Sequence, residues 1–308
     1  MSQLRTKYEE IVDVSKIATR GEDEQPSDIA YKASAENLKP SMDDGKKVLL
    51  LTIDMQNDFM PGIGSLGVPG AKEDVQRLTR FIYNNMGHIT QIMCSLDTHH
   101  LAQIFHPCWW IDEHGDHPTP FTIISYDDVK NGVWKPVYGN PKRSVEYVKA
   151  LEAGGKQQLC IWPYHCLKGT NGAALENQFA RMVYFHEAAR ASQARLIVKG
   201  EDIYSEMYGI IKAEYDPNGF VNTPVLNAIE DFDEIYVAGE AASHCLPASV
   251  EQILEHYSNR PEVLARIFIL EDCTSPVATF EQYAKDKFES FKQQYGIQVV
   301  KSTDVVLA

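Results

Sequence analysis

Six short apolar runs, spread between residues 48 and 270, restrict most strongly what this chain can fold into. They are VLLLTI (48–53), ITQIMCSL (89–96), QLCIW (158–162), ARLIVK (194–199), EIYVAG (234–239) and ARIFIL (265–270). Each run is almost continuously apolar and rich in branched residues, which is typical of strands buried on both faces of a sheet. The sequence therefore predicts six buried strands.

Helix-like stretches separate most of these runs, at residues 71–86, 171–192, 245–258 and 276–294. Alternating strands and helices predict a parallel sheet with helices packed on both faces. The fold class that we expect is α/β, with a doubly wound, mostly parallel six-stranded sheet. Ligands of such sheets bind beyond the carboxyl ends of the strands, near the point where the strand order reverses.

The 308 residues could form one large or two small domains, and the single series of strands favours one domain with additions. Residues 1–45 are polar and predict an N-terminal arm outside the core, with at most a short helix at its start. Residues 46–308 are expected to form the domain, with an insertion at about residues 107–157.

Composition excludes several classes of protein. Hydrophobic residues make up 44% of the chain and charged residues 23%, as in ordinary globular proteins. The net charge of −14 repels phosphate backbones, so we expect no nucleic-acid partner. The N-terminus has no signal-peptide pattern, and no run reaches the roughly 18 apolar residues of a membrane-spanning helix. Six scattered cysteines without a C-x-x-C pair indicate reduced thiols and a cytoplasmic protein.

Reactive residues follow four of the six apolar runs. Asp54 comes directly after the first, Asp97 and His99 follow the second, His165 follows the third, and Lys199 ends the fourth. Ionisable side chains are seldom buried without partners, so their convergence at one edge of a sheet indicates a functional site.

Cys245 follows the fifth run at the start of a predicted helix, where backbone N–H groups favour a thiolate and can bind an oxyanion. Asp54 could take the thiol proton and pass it to a leaving amine. Lys199 could pair with Asp54 and lower the pKa of the cysteine. Taken singly, these residues are more often a buried core cysteine, a turn-capping aspartate and a surface lysine. Together they favour nucleophilic catalysis.

Asp97 and His99 are two positions apart, so both side chains point the same way from an extended segment. With His165 they would form a carboxylate and two-imidazole site suited to a divalent metal ion such as Zn²⁺, Fe²⁺ or Mn²⁺. Four more histidines occupy the same neighbourhood: His100, His106, His114 and His117. We interpret them as solvated loop residues rather than ligands.

Five motifs, in order along the chain, resemble those of the isochorismatase-like cysteine hydrolase superfamily, and within it the nicotinamidases. They are DMQNDFMPGIGSLGVPGA, DTH, WPYHCLKGT, VKG and GEAASHC. The resemblance covers roughly residues 47–106 and 158–275, and it leaves out the arm and the insertion.

The resemblance implies that Asp54 is a general base, Lys199 a charge stabiliser and Cys245 the nucleophile. It also implies an oxyanion hole made by the backbone N–H groups of Ala241 and Cys245, with a cis peptide bond between Glu240 and Ala241.

The same resemblance implies that Asp97, His99 and His165 hold a divalent ion that meets the ring nitrogen of the substrate. Phe59 and Trp162 match positions that flank a pyridine ring in nicotinamidases.

Three departures from the family pattern bear on the substrate. Nicotinamidases often add another histidine after the D-x-H motif, and His106 is the nearest candidate here. The long insertion between His99 and His165 could cover the pocket or form a subunit contact. Acidic residues near the predicted site favour a neutral or cationic amide over one that carries a carboxylate: Glu201, Asp202 and Glu240.

The resemblance implies hydrolysis of nicotinamide or a related small carboxamide to its acid and ammonia through a thioester. Two alternatives stay open at this point. One is another C–N hydrolase acting on a ureido or carbamoyl compound, and the other is a non-catalytic scaffold. We also expect the chain to form a homo-oligomer.

Overall fold

The computed structural model describes residues 4–20, 26–154 and 158–308. Within these ranges the strands are β1 (Val48–Ile53), β2 (Gln91–Asp97), β3 (Trp110–Ile111), β4 (Ile123–Ile124), β5 (Lys135–Pro136), β6 (Leu159–Cys160), β7 (Arg195–Lys199), β8 (Glu234–Gly239), β9 (Ile267–Leu270) and β10 (Gln298–Val300). The α-helices are α1 (Pro26–Ser34), α2 (Ala71–Asn84), α3 (Tyr126–Lys130), α4 (Pro141–Ala153), α5 (Asn177–Arg190), α6 (Thr223–Glu230), α7 (Cys245–His256), α8 (Pro261–Leu264) and α9 (Glu281–Tyr295).

The central sheet has six parallel strands in the order β10-β9-β8-β1-β2-β7, which confirms the predicted fold class. The chain runs outward from β1 through β2 to β7, then returns to the other side of β1 with β8. The strand order therefore reverses between β1 and β8, where ligands of doubly wound sheets bind.

One predicted strand of this sheet is wrong. The run QLCIW contributes only β6, which pairs antiparallel with β4 in a separate two-stranded sheet. The sixth place in the central sheet belongs to β10, which pairs with β9 at the edge. The run is apolar because Leu159, Ile161 and Trp162 pack into the core of the insertion, and apolarity alone does not reveal which core buries a segment.

Strand β1 shows how the sheet separates two cores. Val48 and Leu50 face the cluster built with α1, α2 and α5. Leu49, Leu51 and Ile53 face the opposite cluster, built with α6, α7 and α9. Because successive side chains of a strand point to opposite faces, a fully apolar β1 supplies both cores at once.

The N-terminal segment is packed more closely than its polar composition predicted. Tyr8, Ile11, Ile17 and Ile29 are almost completely buried in the cluster formed by α2 and α5. Its α-helix is α1, at residues 26–34, rather than at the start of the segment. The expectation that the segment stays outside the core is corrected by this burial, while the division at residue 45 stays a prediction.

The insertion forms a third, smaller core around two tryptophans. Trp109 and Trp110 are completely buried, and their indole N–H groups donate to Ser144 Oγ at 3.1 Å and to the Ile104 carbonyl at 2.6 Å. Helix α4 closes this core with Tyr147. No helix of the described residues is both long and apolar enough to cross a bilayer.

Candidate active site

Three predicted site residues meet where the strand order reverses. Asp54 directly follows β1, Lys199 ends β7, and Cys245 begins α7 just beyond β8. Lys199 Nζ lies 2.8 Å from Asp54 Oδ2 and 3.6 Å from Cys245 Sγ. Cys245 Sγ and a carboxylate oxygen of Asp54 lie within 4.8 Å of each other. The structure therefore brings together a buried thiol, a carboxylate and an ammonium group.

Local backbone geometry fixes this arrangement. Asp54 adopts a left-handed conformation with φ of 46°, and its backbone N–H donates to Ser95 Oγ on the neighbouring strand β2. The Ser95 hydroxyl in turn donates to Asp54 Oδ1 at 2.5 Å. Gly239 ends β8 with φ of 113°, and a Cβ there would collide with the Ile53 carbonyl oxygen. Only glycine allows the two strands to approach this closely before the nucleophile.

Burial dominates the electrostatics of the three groups. Burial raises the pKa of Cys245 well above its ordinary value, and the opposing effect of Lys199 is offset by Asp54 and Asp97. Burial also raises the pKa of Asp54, against the effect of Lys199. The predicted lowering of the thiol pKa is thus reversed, because two carboxylates and low polarity outweigh one lysine. Cys245 rests as a thiol, with Asp54 and Lys199 beside it.

The predicted oxyanion hole lies in the loop between β8 and α7. The Glu240–Ala241 peptide bond is cis, as the family resemblance implied. Two neighbouring backbone N–H groups already have acceptors: that of Glu240 donates to the Ile53 carbonyl, and that of Ala242 donates to the Ser275 carbonyl. Among the described residues, no loop or turn acceptor takes the N–H groups of Ala241 and Cys245, which leaves both available to a developing oxyanion.

Asp97, His99 and His165 also come together, with ligand atoms that all lie within 4.8 Å of one another. Asp97 Oδ2 is 2.9 Å from His99 Nε2 and 3.6 Å from His165 Nε2. The Nδ1 atoms of the two imidazoles hydrogen-bond to the carbonyls of Gly200 at 3.1 Å and Pro163 at 2.8 Å. The two carbonyls hold the Nδ1 atoms, so both Nε2 atoms are directed at Asp97, the arrangement in which metal-binding histidines are usually held.

The donor set fits a divalent ion. Burial acts to raise the pKa of Asp97, but His99 and Lys199 lower it well below its ordinary value, so the carboxylate is ionised. Gly200 makes room for the group, since a Cβ there would lie 2.6 Å from His99 Cε1. One expectation is corrected, because His165 comes from the loop after β6 and not from a strand of the central sheet.

His106, which sequence reasoning set aside as a loop residue, belongs to this neighbourhood. It is completely buried, and its ring centre lies 5.9 Å from those of both His99 and His165. Its Nδ1 contacts the Leu101 carbonyl at 3.0 Å, while its buried Nε2 has no partner among the described residues. Burial and the two neighbouring histidines lower the pKa of His106 to about 3, so it is neutral. Its position shortly after the D-T-H motif was the available signal.

One pocket joins the thiol to the histidine cluster. Phe59 and Trp162, the residues expected to flank a ring, both line it, and Phe59 meets the His165 ring edge-on with centroids 5.9 Å apart. Several lining residues were missed by the sequence analysis, although most of them lie close to predicted site residues along the chain: Phe105, Glu206, Met207, Tyr208 and His244.

The acidic residues predicted near the pocket occupy other places. Glu201 is exposed and pairs with Lys168, and Asp202 lies beside it on the surface. Glu240 is buried but faces Asp74 on α2 instead of the pocket. The acidic side chains that line the pocket are Asp97 and Glu206, and the expectation based on Glu201, Asp202 and Glu240 is corrected.

The parallel sheet, with its thiol at the point of strand reversal, is the isochorismatase-like α/β fold of nicotinamidases. A crystal structure of yeast nicotinamidase bound to the inhibitor nicotinaldehyde matches 82% of this chain and 99% of its own, with a TM-score of 0.58 and 21% identity. An Acinetobacter baumanii nicotinamidase and pyrazinamidase structure matches 84% and 98%, with a TM-score of 0.57 and 18% identity.

The sequence comparison gives a related result. The chain is 23% identical over 253 residues to the nicotinamidase of Saccharomyces cerevisiae, in a match that covers 82% of this chain and 98% of that enzyme. No protein-family profile matches the chain.

Proposed function

We propose that this protein is a cysteine amidohydrolase that converts a small ring carboxamide, such as nicotinamide, to its acid and ammonia through a thioester. The observation that carries the proposal is the contact of Cys245, Asp54 and Lys199 beside an aromatic pocket. The similarity to yeast nicotinamidase supports the same reaction class.

The first half of the reaction forms the thioester. Cys245 Sγ attacks the amide carbon while its proton passes to Asp54, and the N–H groups of Ala241 and Cys245 stabilise the oxyanion. Collapse of this intermediate breaks the C–N bond, and Asp54 returns the proton to the leaving amine, which departs as ammonia. Lys199 stabilises the charge that moves between the thiol and the carboxylate.

The second half regenerates the thiol. A water molecule attacks the thioester carbon as Asp54 accepts one of its protons, and the same N–H groups hold the new oxyanion. The C–S bond then breaks, the acid leaves, and the proton on Asp54 returns to Cys245 Sγ. Each cycle consumes one amide and one water and releases one acid and one ammonia.

The histidine cluster is proposed to hold a divalent ion through Asp97, His99 and His165, with His106 Nε2 as a further donor. Held by these residues, the ion would act as a Lewis acid towards a ring nitrogen and so help to orient the substrate. The ligand types suit Zn²⁺, Fe²⁺ or Mn²⁺.

Ammonia release from nicotinamide tests the proposal. We expect Cys245→Ala to lower kcat at least about a hundredfold while the fold is retained, because the covalent centre is lost. Cys94→Ala is the matched control, since Cys94 is buried in β2 within the core and does not line the pocket. It should keep activity within about threefold.

Mass spectrometry of rapidly quenched enzyme should show an acyl group on the peptide that contains Cys245. Activity of Cys245→Ala near that of the wild type would exclude the covalent mechanism. A panel with a ureido compound tests the alternative C–N hydrolase, and turnover of none of the compounds would favour the scaffold alternative. The homo-oligomeric state and the cytoplasmic location stay predictions.

A further inference from the structure

Glu206 is a buried carboxyl group in the pocket wall that the proposed chemistry does not use. Glu206 is only 4% exposed and lies in the segment that follows β7. It lines the pocket together with Trp162 and Tyr208. Burial raises the pKa of Glu206 to about 8, so the group is mostly uncharged near neutral pH.

The carboxyl group contacts three aromatic side chains. The Trp162 indole N–H and the Tyr208 hydroxyl each donate to Glu206 Oε1 at 2.6 Å. The Tyr147 hydroxyl lies 3.3 Å from Oε2, and the backbone N–H of Glu206 donates to that hydroxyl at 3.1 Å. One side chain thus joins α4, the loop after β6 and the segment after β7.

The orientation of the Trp162 ring depends on this contact. The ring also makes edge contacts, with centroids 5.9 Å from Phe121 and 5.3 Å from His244. Phe121 is 57% exposed and cannot fix the ring on that side. The indole N–H also lies 3.1 Å from the Tyr208 hydroxyl, which itself donates to Glu206 Oε1. Loss of Glu206 therefore removes the nearer acceptor and frees the second one, which should loosen the ring from its present orientation.

The same segment touches the proposed catalytic centre. The carbonyl of Met207, between Glu206 and Tyr208, accepts a hydrogen bond from Lys199 Nζ at 3.1 Å. Lys199 is also bound to Asp54 and Asp97, so it keeps two charged partners if this one contact changes. Disturbing Glu206 should therefore affect the wall of the pocket more than the chemistry of Cys245.

We propose that Glu206 is a specificity-determining residue, which holds the Trp162 indole as a flat wall for a planar, uncharged ring amide. The role is one of positioning, through Trp162, and it rests on the proposed amidase function. A ring substrate can stack on a fixed indole, whereas an aliphatic amide of similar size gains little from it. Within the described residues no lysine or arginine lines the pocket, which agrees with an uncharged substrate.

Kinetics with two amides test this role. Glu206→Ala should raise KM for nicotinamide at least about tenfold and change kcat less than about threefold, while kcat/KM for isobutyramide stays within about threefold. Glu206→Gln should keep KM near that of the wild type, because its amide oxygen can still accept from Trp162 and Tyr208. Glu201→Ala is the matched control: Glu201 is an exposed acid of the same segment, so its loss should leave both substrates unaffected.

A spectroscopic measurement gives a readout that does not need turnover. The indole ¹H–¹⁵N resonance of Trp162, assigned with Trp162→Phe, should move upfield in Glu206→Ala and return towards its wild-type position in Glu206→Gln. If Glu206→Ala does not fold, Tyr208→Phe removes one donor to the same oxygen and should raise KM for nicotinamide about threefold.

The outcomes separate the two proposals. An unchanged indole resonance in Glu206→Ala, or an equal loss of kcat/KM for both amides, would overturn the role of Glu206 and leave the amidase proposal standing. A wild-type enzyme that hydrolyses no amide would overturn the proposed function. The indole resonance would then still show whether Glu206 holds Trp162, and its shift on adding nicotinamide would show whether that wall contacts a ring.

Discussion

His99 shows at the scale of one residue how a side chain is prepared for a ligand. Its Nδ1 is occupied by the Gly200 carbonyl, and its Nε2 faces the ionised Asp97. Both partners lie on the carboxyl edge of the sheet, at the ends of β2 and β7. The imidazole is therefore held at Nδ1, with Nε2 directed at the carboxylate that would share an ion with it.

Replacing His99 should separate substrate binding from cysteine chemistry. We expect His99→Ala to lower the content of divalent metal in the purified protein and to raise KM for nicotinamide about tenfold or more. Alkylation of Cys245 by a small reagent should continue at a similar rate, because the neighbours of the thiol are Asp54 and Lys199 rather than His99. Elemental analysis, steady-state kinetics and mass mapping measure the three effects.

His114→Ala is the control, since His114 is exposed and lies outside the cluster. A wild-type enzyme that is fully active without a divalent ion would contradict the metal role. An unchanged KM after chelation of a metal-containing preparation would do the same.

At the scale of elements, a pair of buried acids joins α2 to the end of β8. Asp74 and Glu240 face each other, and Asp74 Oδ2 and Glu240 Oε1 are both buried without a donor from the described residues, so a proton on one acid would join the pair. Arg77 is bound to the other oxygen of Asp74 at 2.6 Å. Burial raises the pKa of both acids, and their mutual repulsion raises that of Glu240 further. The folded protein therefore holds a proton on this pair to a higher pH than the unfolded chain does.

This pair should make stability depend on pH. Because the pKa of Glu240 is raised in the folded protein, Glu240 contributes fully to the free energy of unfolding below pH 4.5, its ordinary pKa. That contribution is lost as the pH rises towards the folded pKa. In that window the free energy of unfolding should fall by about 1.4 kcal/mol per pH unit for one retained proton. Glu240→Gln keeps a hydrogen-bond donor to Asp74 without a proton to lose, so its stability should fall less steeply.

Urea unfolding at several pH values between about 5 and 8 measures the difference. Glu234→Gln is the matched control, because Glu234 forms a partly exposed ion pair with Lys46 and should keep the wild-type slope. Equal slopes for the wild type and Glu240→Gln would show that the two acids share no proton.

At the scale of the whole molecule, the N-terminal segment is part of the folded unit that carries the site. Ile11 and Ile17 are completely buried against the cluster that contains α2 and α5. The segment is also held by Glu36, which accepts hydrogen bonds from the backbone N–H groups of Arg5 and Thr6 at 2.7 Å each. A polar composition thus conceals a small number of apolar anchors.

Ile11→Ala should destabilise the protein by about 2–5 kcal/mol, the range found when a buried aliphatic side chain is truncated. Met42→Ala is the control, since Met42 is 87% exposed and its loss should stay within about 0.5 kcal/mol. Urea unfolding measures both values. If Ile11→Ala lowered the free energy of unfolding as little as Met42→Ala does, the segment would be only loosely attached.

The sequence by itself determined the central sheet and the places of the reactive groups. Five of the six apolar runs form strands of that sheet, because strands buried on both faces must be apolar along their whole length. Apart from His165, the predicted groups lie together because parallel strands end at the same edge, which holds whatever the details of packing. Asp54 and Lys199 could therefore be placed beside Cys245 from their order in the chain alone.

The tertiary structure alone decided which residues become neighbours across long stretches of chain. In the folded chain His106 is buried beside the other histidines, and Glu206 contacts Trp162. The apolar run around Leu159 packs in the core of the insertion instead of the central sheet. The tertiary structure also reversed the expected direction of the Cys245 pKa. Burial and pairing arise from segments that are distant in sequence, whereas periodicity and strand-end position are local, so only the local features could be predicted from the sequence.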